Sequence, residues 1–197
     1  MMRLAIFALT RFLVGGHPRW QGSEPSGRQR IYFANHGSHL DTVLLWSALP
    51  GDLRDTTHPV AAADYWGRHG LSRYFSMNIL NAVLIERKAP RGTDPLEPLR
   101  DVLDKGESLI IFPEGTRGNE ILPGPFKSGL YHLAQDYPDA ELIPVYLENL
   151  SRAWPKGAWI PVPISCSVRF GPPIALVEGQ AKADFLERAR NAVVELA

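Results

Sequence analysis

Cysteine is almost absent from this chain of 197 residues, which carries only Cys166. A single cysteine cannot form a disulfide within the chain, and no Cys/His spacing typical of a metal site occurs. We therefore expect a reducing, cytoplasmic compartment and a buried, inert thiol. An excess of one charge is also missing, since 21 basic and 21 acidic side chains give a formal net charge of zero. This balance argues against nucleic-acid binding through a strong overall basic field.

The chain also lacks an apolar run long enough to cross a bilayer. The best candidate, Leu4–Val14, would span about 16 Å as a helix, against a hydrocarbon core of about 30 Å. Arg11 interrupts it and no small-residue cleavage site follows, so a secretory signal peptide fits poorly. Arginines outnumber acids in this region, which favours a helix in the membrane interface; a helix packed on the core is the alternative. We expect such a short helix within residues 1–20 and one domain over residues 21–197.

Short apolar runs alternate with helical patterns along the rest of the chain. Strands are predicted at 30–34, 59–63, 82–86, 108–112, 141–147 and 164–170, and helices at 40–49, 67–79, 94–104, 127–136 and 182–196. This alternation predicts a single α/β domain with a largely parallel central sheet flanked by helices. In such sheets functional groups collect where strands end and helices begin.

One motif at such a junction is the segment Asn35–Asp41, NHGSHLD. His36 ends a predicted strand, and Asp41 lies near the start of the next helix. A loop loosened by Gly37 allows the carboxylate to fold back toward the imidazole. An aspartate that accepts from one ring nitrogen makes the other nitrogen a better base, able to deprotonate an attacking hydroxyl without a covalent enzyme intermediate.

Other interpretations of this segment stay open. Ser38 and Asp41 have the spacing of a capping box for the following helix. His36, His39 and Asp41 could bind a metal, although two imidazoles and one carboxylate this close in a loop are seldom a complete site. Ser38 could be a hydrolase nucleophile, but no Gly-x-Ser-x-Gly elbow surrounds it.

A second motif, Phe112–Gly118 (FPEGTRG), follows the predicted strand that ends at Phe112. The guanidinium of Arg117 suits a phosphate, and the glycines allow the backbone to approach an anion closely. Glu114 could orient Arg117 or bond an acceptor hydroxyl. A tight surface turn with a solvated ion pair is the structural alternative. Two further cations are candidates for phosphate binding: Arg87 at a strand end and Lys127 at a helix start, an unfavourable place for a cation unless an anion is near.

Together the two motifs resemble the lysophospholipid acyltransferase family, which includes bacterial 1-acylglycerol-3-phosphate acyltransferases. The resemblance extends from Ile31 to about Leu147, and two further family blocks look like Asn81–Arg87 and Leu142–Val145. It implies a glycerolipid acyltransferase-like fold and a catalytic His-x4-Asp pair, carried here by His36 and Asp41. It also implies an acceptor-phosphate site that comprises Glu114, Gly115, Thr116 and Arg117.

The resemblance implies transfer of a fatty acyl group from acyl-CoA or acyl carrier protein to a lysophospholipid hydroxyl, most simply 1-acyl-glycerol-3-phosphate. No metal and no other cofactor is expected, and the expected location is peripheral, at the cytoplasmic face of the membrane. Asn81 replaces the usual glycine of its block, and Ala61–Trp66 lacks the lysines of many relatives, so a different phosphate-bearing acceptor is an alternative. A non-catalytic lipid-binding module that keeps the fold is the other.

Overall fold

The computed structural model describes residues 17–38, 40–63, 80–86, 92–118, 120, 122–150 and 165–197. Within these residues the strands are β1 (His17–Trp20), β2 (Arg30–Ala34), β3 (Thr57–Ala62), β4 (Val83–Ile85), β5 (Ser108–Ile111), β6 (Glu141–Glu148) and β7 (Ser167–Phe170). The helices are α1 (Asp41–Ala48), α2 (Gly51–Asp55), α3 (Glu97–Leu103), α4 (Gly129–Asp136) and α5 (Lys182–Val194). The expected α/β class is confirmed.

In the described part of the chain the strands form one sheet in the order β1-β7-β6-β2-β5-β3-β4. Every neighbouring pair is parallel except β6 and β7. The three central strands, β6, β2 and β5, therefore run in the same direction. In β2 and β5 every residue is buried, as a strand covered on both faces must be, which explains why each strand is apolar after its first residue.

Helices cover both faces of this sheet and divide the core in two. On one face Tyr32 and Ile143 pack with α1 and the residues of β7. On the other face Ile31 and Phe33 pack with the apolar sides of α3, α4 and α5. The alternation along β2 sends successive side chains to opposite faces, so one short strand contributes to both clusters.

The N-terminal boundary that we expected is wrong for its last residues. His17–Trp20 is not helical but forms an edge strand parallel to β7, with Trp20 stacked on Phe170 at 3.9 Å between ring centroids. The sheet thus begins before residue 21. Residues 1–16, including the rest of the expected helix, lie outside the described residues, as does the helix expected at 67–79.

The helix expected at 40–49 is two helices, α1 and α2. Leu49 is extended, with ψ of 148°, and Pro50 precedes the first residue of α2. A proline disfavours the helical conformation of the residue before it, which explains the break. Among the described helices none is both long and apolar enough to reach across a bilayer.

Candidate functional site

The candidate site lies at the carboxyl ends of β2, β5 and β6. These strands are parallel neighbours, with Phe33 opposite Ile111 and Ala34 opposite Val145, so the loops that follow them emerge at the same edge of the sheet. The loop after β2 carries the first motif and the loop after β5 carries the second. The expectation that both motifs meet at strand ends is confirmed by this register.

Asn35 ends β2 by using its side chain as a backbone substitute. Its amide Nδ2 donates to the carbonyl of Leu147 at 3.1 Å, and its Oδ1 accepts from the Leu147 amide at 2.7 Å. The side chain therefore continues the pairing with β6, while its own backbone is released into the loop. This leaves His36 at a fixed point just beyond the sheet.

Within that loop the His36 ring is held by Asp41. The distance between His36 Nδ1 and Asp41 Oδ2 is 2.8 Å. The same oxygen accepts the backbone amides of Gly37 at 2.7 Å and Ser38 at 2.8 Å. Phe112 stacks on the imidazole with 4.3 Å between ring centroids. The fold-back that the sequence predicted is therefore present.

This arrangement determines which nitrogen of His36 carries the proton. An oxygen that already accepts two amide N–H groups acts as an acceptor, so Nδ1 is the donor to Asp41 Oδ2 and Nε2 carries the lone pair. The capping-box interpretation is not supported, because α1 begins at Asp41 with Leu40 as its N-cap and no side chain caps it; the bond from the Ser38 amide to Asp41 lies in the loop before the helix. The hydrolase interpretation fits poorly, since Ser38 is 2% exposed and its Oγ accepts the Leu40 amide.

Asp41 is buried, with 1% of its surface exposed. Its other oxygen, Oδ1, has no hydrogen-bond partner within the described residues, which is unusual for a buried carboxylate and typical of functional groups. Burial raises the pKa of the nearby Cys166 thiol to about 11, and the Asp41 and Glu148 charges add to this effect. Cys166 is 1% exposed and protonated at neutral pH, as an inert core residue should be.

Glu114 joins the loop after β2 to a later part of its own loop, the connection between β5 and α4. Its Oε1 accepts the backbone amide of His36 at 2.8 Å, and its Oε2 accepts the amide of Gly124 at 2.9 Å. A second bond joins the same two loops with donor and acceptor reversed: the Gly118 amide donates to the His36 carbonyl at 2.9 Å. These contacts favour a positioning role for Glu114 over the direct acceptor contact that we considered from the sequence.

The turn after β5 brings Gly115 against Lys127. Gly115 has φ of +69°, in the left-handed region that favours glycine, and a Cβ there would lie 2.7 Å from Lys127 Nζ. The Lys127 amide donates to the Pro113 carbonyl at 2.8 Å, which fixes this residue beside the turn. Thr116 is exposed and Arg117 is half-buried in the same turn. One ammonium group therefore lies directly over the second motif.

An open pocket, with about 550 Å³ of empty space including its mouth, lies beside the histidine. Its lining includes Asn35, His36, Asp41, Glu114, Leu122 and Tyr146. Burial raises the pKa of Tyr146, and the Glu148 charge adds to this while Arg169 opposes it, so the phenol stays a donor at neutral pH. Leu122, 42% exposed, gives the mouth an apolar side chain.

Not every candidate residue lines this pocket. His36, Asp41 and Glu114 do, whereas Gly115, Thr116, Arg117 and Lys127 belong to the adjoining turn. Arg87 and His39 lie outside the described residues. No group of three or more His, Cys, Asp or Glu side chains that could hold a metal ion occurs among the residues that the structure describes.

Sequence reasoning missed several residues that shape the site. The role of Asn35 could have been predicted, since an amide side chain directly after a buried strand can replace a backbone hydrogen-bond partner. Tyr146 belongs to an apolar strand and carried no signal. The Gly124 amide bonds Glu114 across an irregular loop, and the side chain of Arg190 contacts the same loop from 67 residues away, so neither contact has a sequence pattern.

A histidine held by a buried carboxylate at the carboxyl edge of a parallel sheet defines an α/β domain equipped for general-base chemistry. The acyltransferase family model matches residues 18–148. The chain is 30% identical to the 1-acyl-sn-glycerol-3-phosphate acyltransferase of Limnanthes alba, a match that covers 88% of this chain and 63% of that protein. The human 1-acyl-sn-glycerol-3-phosphate acyltransferase alpha is 26% identical, with 88% of this chain and 60% of that protein covered.

Among solved structures, the 1-acyl-sn-glycerophosphate (LPA) acyltransferase PlsC from Thermotoga maritima superposes with a TM-score of 0.73 at 21% identity. The superposition covers 99% of this chain and 78% of that chain, and it shows a shared fold. The chain belongs to the acyltransferase family, and the resemblance drawn from the two motifs is confirmed. It spans less than two thirds of the length of the Limnanthes and human relatives.

Proposed function

We propose that this protein transfers a fatty acyl group from an acyl-CoA or acyl-carrier-protein thioester to a lysophospholipid hydroxyl. The acceptor that we favour is 1-acyl-glycerol-3-phosphate, which gives phosphatidate, because that activity is in the names of the relatives above. The observation that carries the proposal is the single Asp41 oxygen that accepts both the His36 ring proton and two backbone amides. It leaves Nε2 of His36 as a base at a pocket wall.

The reaction follows from this geometry. Nε2 of His36 removes the proton of the acceptor hydroxyl while that oxygen attacks the thioester carbonyl carbon. The tetrahedral intermediate collapses with cleavage of the C–S bond, and the leaving thiolate takes the proton back from His36. Asp41 stabilises the imidazolium between these two steps. Because the acceptor oxygen attacks the thioester carbonyl directly, this mechanism has no acyl-enzyme intermediate.

The acceptor phosphate is assigned to the turn after β5. Lys127 Nζ lies over Gly115, and Arg117 belongs to the same turn, so the turn beside the pocket has two basic residues for a phosphate. Arg87, Gly115 and Thr116 remain proposed members of this phosphate site. Its contribution is positional, because a held phosphate brings the hydroxyl to His36 without taking part in bond making.

Incubation of the purified protein with a panel of lysolipids and both kinds of thioester, followed by mass spectrometry, tests the proposal. Phosphatidate formed from 1-acyl-glycerol-3-phosphate is the expected product. Preferential acylation of another lysolipid would change the acceptor but keep the reaction. Thioester cleavage that does not need an acceptor would indicate a hydrolase, and binding of lysolipid without thioester cleavage would indicate a lipid-binding module.

Replacement of Arg117 by alanine is expected to raise the KM for the acceptor by about 10-fold or more, the effect of losing a charge-assisted hydrogen bond. The KM for the thioester should change far less, because the acyl chain has no need of a guanidinium. Steady-state kinetics with each substrate varied will measure both. Arg28→Ala, which removes an exposed arginine at the opposite end of β2, is the control. Equal damage to both KM values would assign Arg117 a structural role.

We also propose that the protein is peripheral at the cytoplasmic membrane face and that residues 1–14, outside the described residues, strengthen its hold on anionic bilayers. Arg3 and Arg11 should each contribute about 1 kcal/mol near such a surface. Deletion of residues 2–14 is expected to lower the fraction that sediments with anionic vesicles and the activity on vesicle-embedded acceptor. Activity on a short-chain acceptor should fall much less. A lower melting temperature with loss of both activities would instead indicate a core-packing helix.

A further inference from the structure

The C-terminal helix reaches the candidate site through one side chain, Arg190. This residue is on α5, beyond the segment 18–148 that the acyltransferase family model matches. Its Nε donates to the carbonyl of Pro123 at 2.8 Å, across 67 residues of sequence. Pro123 is buried, while Leu122 beside it is exposed at the pocket mouth. A charged donor from a distant helix thus holds the loop that forms one wall of the pocket.

The carbonyl of Pro123 and the amide of Gly124 belong to the same peptide group. Arg190 holds the oxygen side of that group, and the nitrogen side donates to Glu114 Oε2 at 2.9 Å. The other carboxylate oxygen of Glu114 accepts the His36 amide at 2.8 Å. The hydrogen bonds therefore form an unbroken series from the guanidinium, through one peptide and one carboxylate, to the backbone of the proposed base.

Hydrogen bonds connected in such a series strengthen one another. A cation at the carbonyl polarises the peptide and makes its N–H a better donor to the carboxylate. A better-held Glu114 fixes the His36 amide, and the loop is closed on its other side by the bond from Gly118 to the His36 carbonyl. The position of the imidazole relative to a bound hydroxyl depends on both of these backbone contacts.

We propose that Arg190 is a positioning residue for the acyl transfer proposed above, acting on His36 through the Pro123–Gly124 peptide and Glu114. It does not touch the reacting atoms. Its substitution should lower kcat without a matching change in either KM, because the substrates still bind while the base is displaced. Displacements of this kind commonly cost between a few-fold and 10²-fold in rate.

The test compares Arg190→Met with Arg188→Met. Arg188 is on the same helix but donates to the Ala175 carbonyl and to Gln180, away from the site. Arg190→Met is expected to lower kcat by about 10-fold while both KM values stay within about 2-fold, and Arg188→Met should match the wild type. Arg190→Lys, which keeps a cationic donor, should recover part of the loss. A kcat for Arg190→Met equal to that of Arg188→Met would overturn the proposal.

Two further measurements separate positioning from general helix packing. In a Glu114→Gln background, Arg190→Met should have less than about a 2-fold additional effect, since residues in one series are not additive. Full additivity would mean that Arg190 acts by another route. Guanidinium ion, added below denaturing concentrations, should partly restore the kcat of the Arg190→Ala variant. It should not restore the kcat of the Glu114→Gln variant.

Amide exchange followed by NMR provides a readout that does not need activity. The amides of Gly124 and His36 should exchange faster in Arg190→Met than in the wild type, and Arg188→Met should leave them unchanged. If the wild type transfers no acyl group to any acceptor, the proposed reaction fails, while the exchange rates still test the hydrogen-bond series. Unchanged exchange at both amides would overturn the role of Arg190 even in an active enzyme.

Discussion

Replacement of His36 by alanine is expected to lower kcat by about 10²–10⁴-fold with the fold intact, since it removes the proposed general base. The ring is 20% exposed at the pocket, so its loss leaves no large cavity in the core. Asp41→Asn should have an effect of similar size. An asparagine oxygen can still accept the Gly37 and Ser38 amides, but a neutral amide does not stabilise the imidazolium in the same way.

Stopped-flow or steady-state assays of acyl transfer, with a thermal melt of each variant, measure these effects. His132→Ala is a suitable control, because this half-buried histidine is on α4 and does not line the pocket. It should retain near wild-type kcat. Transfer by purified His36→Ala at a near-normal rate would contradict the general-base mechanism, whatever the acceptor.

Glu114→Gln is expected to have the second largest effect. A glutamine retains one acceptor oxygen and presents an NH₂ group to one of two backbone amides, so either His36 or Gly124 loses its partner. An unsatisfied amide costs about 1–3 kcal/mol of unfolding free energy when it is buried, and we expect about 1 kcal/mol for these partly buried amides. We expect that loss in a chemical denaturation experiment, together with a fall of about 10–100-fold in kcat from the displaced base.

Glu120→Gln is the matched control for Glu114→Gln. Glu120 also lines the pocket and is exposed, so this change removes a negative charge from the same space without removing a backbone partner that the structure shows. It should change kcat by less than about 3-fold, as for a solvated charge. If Glu114→Gln lowered stability but left kcat unchanged, Glu114 would serve only to hold the loops together. If both variants lowered kcat equally, pocket charge would be the cause.

The sequence alone determined the class of fold and the pairing of two side chains in the first motif. The strands β2, β5 and β6 are buried on both faces, and such strands appear in any sequence as continuous apolar runs. The pairing of His36 with Asp41 is local, because five positions and one flexible glycine suffice to bring the two side chains together. Signals of this kind depend on neighbours in the chain and need no knowledge of the rest of the fold.

Only the tertiary structure determined the contacts between residues that are distant in the sequence. The strand β1 is short, mostly polar and at the sheet edge. Its sequence therefore has no periodic pattern from which its pairing with β7 could be predicted. Glu114 is 78 residues from its partner His36, so the sequence predicted a substrate contact for Glu114 and could not predict the contact that joins the two loops. Arg190 has no motif at all. Its contact with Pro123 exists only because α5 packs on the face of the sheet beneath this loop, since the formation of long-range hydrogen bonds depends on the packing of whole elements.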